Sequence, residues 1–220
     1  MKDDVVAHPR PPLWRRLAVG PGAALLVVID VVTLGFITLG FEMVASRILT
    51  PLFGSGIYTW ATIISIVVAG LMTGYFSGGF IADRHPSFGV AAVIKFVTAG
   101  YLFFVFTITG GGLDALLSGI PDDITALFVS GIIVCFPPLV VLGMYSPLSV
   151  RLILRDPHDA GRVSGGLFAI SSAGNIAGTI VTTFVLIPNL GTRAITLGFA
   201  AFLVISGVLS VALAATRPRD

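Results

Sequence analysis

The sequence predicts an all-α, polytopic membrane bundle of six transmembrane helices, and three observations carry that expectation. Only 11% of the 220 residues are Asp, Glu, Lys or Arg, less than half of the roughly 25% found in soluble domains. That is too little charge to cover a water-soluble surface of this size. It excludes a soluble globular enzyme, a disordered chain and a nucleic-acid-binding module. The uncharged runs are long enough to cross a bilayer, which takes about 20 mostly apolar residues per helix: 48–82, 96–113, 124–150, 163–192 and 194–216 hold no Asp, Glu, Lys or Arg. Finally, no segments of about ten residues alternate in polarity, as the strands of a membrane barrel would.

Residues 1–21 read as a cytoplasmic N-terminal tail. MKDDVVAHPRPPLWRRLAVG is rich in basic residues and proline and lacks a short apolar core followed by a small-residue cleavage site, so it reads as retained rather than as a signal peptide. Trp14, Arg15 and Arg16 suit the headgroup layer. The transmembrane domain spans 22–215, with helices expected at 22–50, 57–82, 89–110, 124–150, 163–187 and 192–215, and a short cytoplasmic tail at 216–220. Pro51, Pro121, Pro157 and Pro188 fall at or near connections, where a missing backbone donor is tolerated.

With six spans, Lys2, Arg10, Arg15, Arg16, Arg84, Arg151, Arg155, Arg162, Arg217 and Arg219 all fall on one side. The other side holds Arg47 and Arg193 and an acidic loop with Asp114, Asp122 and Asp123. The positive-inside rule then places both termini in the cytoplasm.

Polar groups within the spans are the candidate site: Asp30, Glu42, Arg47, Lys95 and Asn175. Asp30 lies on the order of 12 Å into the first helix at 1.5 Å per residue. A carboxylate there must face the bundle, be paired or be protonated. It reads as a proton or cation site, a structural polar lock, or a contact to lipid or another helix. Lys95 either snorkels to the interface or meets a carboxylate such as Asp30. Glu42 and Arg47 are about 140° apart on an ideal helix, so each is expected to seek a neighbouring helix rather than the other. Asn175 can bond between helices or touch a substrate.

Gly70, Gly74 and Gly78 recur every four residues in the second span, and Gly166, Gly174 and Gly178 share a ridge in the fifth. Such stripes let helices approach to backbone contact. Pro137 and Pro138 are expected to kink the fourth span and are the candidate hinge; Gly143, Tyr145, Ser146 and Pro147 loosen it further. Cys135, the one cysteine, sits in an apolar run as a small hydrophobe. His8, His85 and His158 fall in tails or loops without metal-ligand spacing on one helix. No metal, cofactor or catalytic group is expected.

The stretch GGFIADRHPSFG at 78–89 resembles the loop between helices two and three of major facilitator transporters, with Gly79, Asp83 and Arg84 in the motif positions; Ser87 and Phe88 stand where later basic residues are usual. A broader match covers about 24–215. The segments 41–84 and 161–193 are similar to the membrane portion of the bacterial fused transporter/spermidine-synthase-like family. The matching positions are Glu42, Arg47, Pro51, Phe53, Gly54, Gly70, Gly74, Gly79, Asp83 and Arg84, then Gly161, Ser171, Gly174, Gly178, Pro188, Gly191 and Arg193.

The resemblance implies one six-helix half of a major facilitator transporter in a bacterial inner membrane. It also implies a transport-type role, with polyamines or other organic cations as substrates. Such a half needs a second copy or a partner to enclose a pathway, so a homodimer or a heteromeric membrane complex is expected. The alternative is an accessory or scaffold subunit, docked through its glycine stripes. Every glycine-rich stretch lies in or beside a membrane helix, so the aminopropyltransferase-like domain of fused relatives is not expected here. Its enzymatic activity is not carried over, and a separate soluble synthase-like chain is the partner that could supply it.

Overall fold

The computed structural model describes residues 18–109 and 111–216. The tail readings at Lys2, His8, Arg10, Trp14, Arg15, Arg16, Arg217 and Arg219 lie outside them. Nine α-helices are formed by the described residues: α1 (Pro21–Phe53), α2 (Ile57–Arg84), α3 (Phe88–Ile108), α4 (Gly112–Leu117), α5 (Asp123–Gly143), α6 (Tyr145–Ile153), α7 (Ala160–Val181), α8 (Ile187–Asn189) and α9 (Thr192–Thr216). Six stretches are long and apolar enough to cross a membrane. They are α1, α2, α3, α5 continued by α6, α7 continued to α8, and α9. The chain is therefore an all-α, multi-pass membrane protein whose outer helix faces meet lipid.

The ends of these helices follow local chemistry. Ser87 caps α3 by accepting the Val90 N–H at 3.2 Å, and Asp122 caps α5 by accepting that of Thr125 at 2.8 Å; each satisfies an otherwise orphaned donor. The first helix runs three residues past its expected end and carries Pro51 in its last turn. It closes at Gly54, whose φ of 74° suits glycine and whose N–H returns to the Thr50 carbonyl at 2.8 Å.

Three pairings dominate the packing: α1 on α7, α3 on α9, and α2 on α5. The first and last of these depend on glycine. Gly70 and Gly74 of α2 lie against Phe136, Leu139 and Val140 of α5, and Gly78 lies against Met144. Gly174 and Gly178 of α7 abut the backbone at Val32 and Phe36 of α1, and Gly35 returns the contact against Ser171 and Asn175. Lipid tails are as apolar as side chains, so close packing rather than water exclusion holds such helices together. The stripes are therefore used inside the chain, which corrects their reading as docking faces for other subunits. Gly166 faces open space, so it does not serve the close approach expected of its ridge; Gly79 of the loop motif likewise faces open space.

Proline chemistry also shapes the fourth span. The helix α5 runs unbroken through Pro137 and Pro138, and the interruption falls at Met144, between α5 and α6. Pro137 cannot donate to the Ile133 carbonyl one turn back. The Tyr101 hydroxyl of α3 donates to it instead, at 2.7 Å, so the helix need not break there. Pro147 has no donor for the Gly143 carbonyl, and the helix steps just before it. A second irregularity joins α7 to α8, where Thr182–Leu186 form a wider π turn just ahead of Pro188.

One end of the bundle gathers the entry to α1, the α2–α3 loop and the end of α6. The Ala18 N–H donates to the Ile153 carbonyl at 3.0 Å, and Arg151 pairs with Asp83 at 3.1 Å.

Candidate functional site

Four elements build a buried charge cluster. Asp30 comes from α1, Lys95 from α3, Tyr145 from the first turn of α6, and Ser206 and Ser210 from successive turns of α9. The Lys95 Nζ donates to Asp30 Oδ2, to Ser210 Oγ at 2.8 Å and to the Ser206 carbonyl at 3.4 Å. All three ammonium protons are thus engaged. Asp30 also accepts from the Tyr145 hydroxyl at 3.0 Å and from Ser206 Oγ at 2.6 Å. Lys95 is 0% exposed and sits 5.5 Å from the centre of the Tyr145 ring.

Burying two ions costs several kcal/mol each, and their attraction offsets this only with good geometry and satisfied hydrogen bonds. Both conditions are met. Of the two readings of Lys95, snorkelling is overturned and the pairing with Asp30 is what forms. The carboxylate accepts on both oxygens, from Lys95 and Tyr145 on Oδ2 and from Ser206 on Oδ1. Tyr145, Ser206 and Ser210 were not singled out as partners from the sequence. A usable signal existed in the two serines, one turn apart on a single face of an apolar helix.

Beside the cluster lies an open cavity of about 470 Å³ between α1, α2, α5, α6 and α7. Tyr145 belongs to both, with its hydroxyl on Asp30 and its side chain in the cavity wall. The wall also carries Thr38, Tyr75, Ser146, Ser149, Ser171, Ser172 and Asn175. Thr38 and Ser149 spend their protons on the carbonyls of Leu34 and Ser146. The hydroxyls of Tyr75, Ser146, Ser171 and Ser172 have no protein partner among the described residues. Asn175 Oδ1 is buried against Gly35 and is likewise unpartnered.

The other expected site residues do not join the pair. Glu42 lies about 18 Å further along α1 at 1.5 Å per residue. It is buried. It makes no hydrogen bond or ion pair with any described residue, so the interhelical partner expected for it is not found. Arg47 is exposed. Asn175 belongs to the cavity rather than to the charge cluster. In the last turn of α2, Asp83 pairs with Arg151 at the surface, while Arg84 is exposed.

Comparison with protein-family models, curated proteins and solved structures returns no match. The functional reading therefore rests on the site itself and on the sequence resemblance.

Proposed function

We propose that the chain is a transport-type membrane module, half-transporter-like, that works as a dimer or with a partner. The observation that carries this reading is the open cavity among four spans, walled by unpaired hydroxyls and backed by the Asp30–Lys95 pair. Unpaired hydroxyls facing hydrocarbon are costly, so a wall of this kind suits a polar solute or water. The break at Met144 supports the reading, because discontinuous helices commonly border transporter sites. The polyamine or organic-cation substrate rests on the resemblance alone. So do a bacterial inner membrane and the assignment of no enzymatic activity to this chain; cytoplasmic termini follow from the bias of Arg and Lys among the loops.

The test is flux through liposomes containing the purified protein. Radiolabelled spermidine is followed by filtration, and uncharged polyols by the stopped-flow light scattering of shrinking and reswelling vesicles. Flux above protein-free vesicles supports transport, and equal flux for every solute removes it. Asp30→Asn with unchanged flux would remove the charge pair from the mechanism.

A second reading, a non-catalytic accessory or scaffold subunit, is favoured by one observation. The outer face of α7 carries Gly161, Gly165, Ala169, Ala173 and Ala177 at four-residue spacing, all exposed. A small-residue face of this kind suits close approach by another helix. The native mass of the detergent-extracted complex separates the readings: two copies favour the transport module, and unlike subunits favour the accessory role.

A further inference from the structure

We propose that the cavity between α1, α2, α5, α6 and α7 is a binding site for an uncharged, hydroxyl- or amide-bearing solute, and that it selects against cations and anions alike. The inference deepens the transport reading, on which it relies only in calling the occupant a substrate.

Its basis is what the wall offers and what it withholds. Among the described residues, the groups without a protein partner are the hydroxyls of Tyr75, Ser146, Ser171 and Ser172 and the buried amide oxygen of Asn175. Each hydroxyl both donates and accepts, so a solute with mixed donors and acceptors can be matched group for group. Tyr75, Tyr145 and Phe168 add aromatic surface, and a carbon framework between its polar groups can lie against it.

Among the described residues, no Asp, Glu, Lys, Arg or His belongs to the cavity wall. Asp30 and Lys95 stand behind the wall residue Tyr145. They neutralise each other, and every proton of the ammonium is in use. The Asp83–Arg151 pair lies outside the wall and is also neutral as a pair. An ionic solute entering this space would give up hydration without meeting a counter-charge, which costs several kcal/mol in a low-dielectric site. An uncharged solute exchanges water hydrogen bonds for wall hydrogen bonds at little net cost. The geometry thus favours neutral solutes over the polyamines that the resemblance implies.

The experiment is cysteine accessibility in the purified full-length protein, with Cys135→Ala removing the native thiol. Ser172→Cys on α7 and Ser146→Cys on α6 place a thiol on two different helices of the wall, and Ser55→Cys in the exposed α1–α2 turn is the reference. Three methanethiosulfonates of similar size are compared: hydroxyethyl, trimethylammonium-ethyl and sulfonatoethyl. After division by the rates at Ser55→Cys, the neutral reagent should react at both cavity positions at least about tenfold faster than either charged one.

Equal rates for the cationic reagent, or for the anionic one, overturn the selectivity. Failure of all three reagents at both positions overturns the site. Two independent positions keep the result readable if one variant does not fold. The labelling does not depend on flux. Selective labelling without transport leaves the site and removes the transport reading; transport with unselective labelling does the reverse.

Discussion

Asp30 and Lys95 stand 65 residues apart in sequence and meet in the interior of the bundle, where the ammonium is fully buried and uses every proton it has. The pair joins α1 to α3, and through Tyr145 and Ser206 it also holds α6 and α9. Its consequence for stability is asymmetric. Keeping the pair gains little over a well-packed apolar replacement, whereas removing one partner strands the other charge, at about 3–5 kcal/mol. Asp30→Leu or Lys95→Met should each sharply lower the thermal midpoint of the detergent-solubilised protein. The double variant should recover most of the loss. Singles as stable as the native chain, or a double less stable than both, would contradict the pairing.

The glycines of α7 are not equivalent. A Cβ at Gly178 would meet the backbone of Phe36, which cannot move aside cheaply, whereas one at Gly166 meets open space. Gly178→Ala should therefore cost about 1–3 kcal/mol, as overpacking does. Gly166→Ala should stay within about 0.5 kcal/mol of the native chain or improve it slightly. Thermal unfolding of the two variants side by side tests this, and similar shifts would argue against the α1–α7 contact.

Tyr101 supplies the donor that Pro137 lacks. Tyr101→Phe leaves the Ile133 carbonyl unpaired and should cost about 1–2 kcal/mol, in the range of interhelical hydrogen bonds in membranes. In a Pro137→Ala background the helix satisfies that carbonyl itself, so the same change should cost clearly less. A double-mutant cycle measures the difference, and additive effects would separate the tyrosine from the proline.

The cap of α5 is acid-sensitive. Hydrogen bonds from the side chain and backbone of Thr125 hold the Asp122 carboxyl below its ordinary value near 3.8. A lowered folded value means that the cap contributes fully above the unfolded value and is lost as pH falls through the folded one. Hydrogen exchange in the first turn of α5 should therefore lose protection, beyond the intrinsic change in rate, only at pH below about 3.8. Asp122→Asn, which caps without titrating, should remove that dependence. A loss of protection already present near neutral pH would show that this carboxylate is not the cap.

Much of the fold was legible because a bilayer sets strict terms. Every backbone group in hydrocarbon must be bonded internally, so long uncharged runs mean helices, and their number follows from their lengths. The glycine spacings at 70, 74 and 78 and at 174 and 178 marked contact faces because a four-residue repeat keeps to one side of a helix. Asp30 was conspicuous as a charge at depth, and its pairing with Lys95 was one of the readings open to it. What Pro137 does to the fourth span could not be read from that span alone, because the Ile133 carbonyl it abandons is satisfied from outside it. That satisfier, Tyr101, comes from another span.

The amino-acid order by itself determined that this chain crosses a membrane six times, where the spans begin and end to within a few residues, and which faces are small enough to touch. Which helices touch was decided by the tertiary structure. It placed Tyr145 between an ion pair and a cavity and gave Lys95 the serines of α9; among the described residues it left Glu42 without a partner and lined the cavity with hydroxyls but no charge. Periodicity describes one helix at a time, whereas the cost of a buried charge or an unpaired hydroxyl depends on what the neighbouring helices bring within about 3 Å.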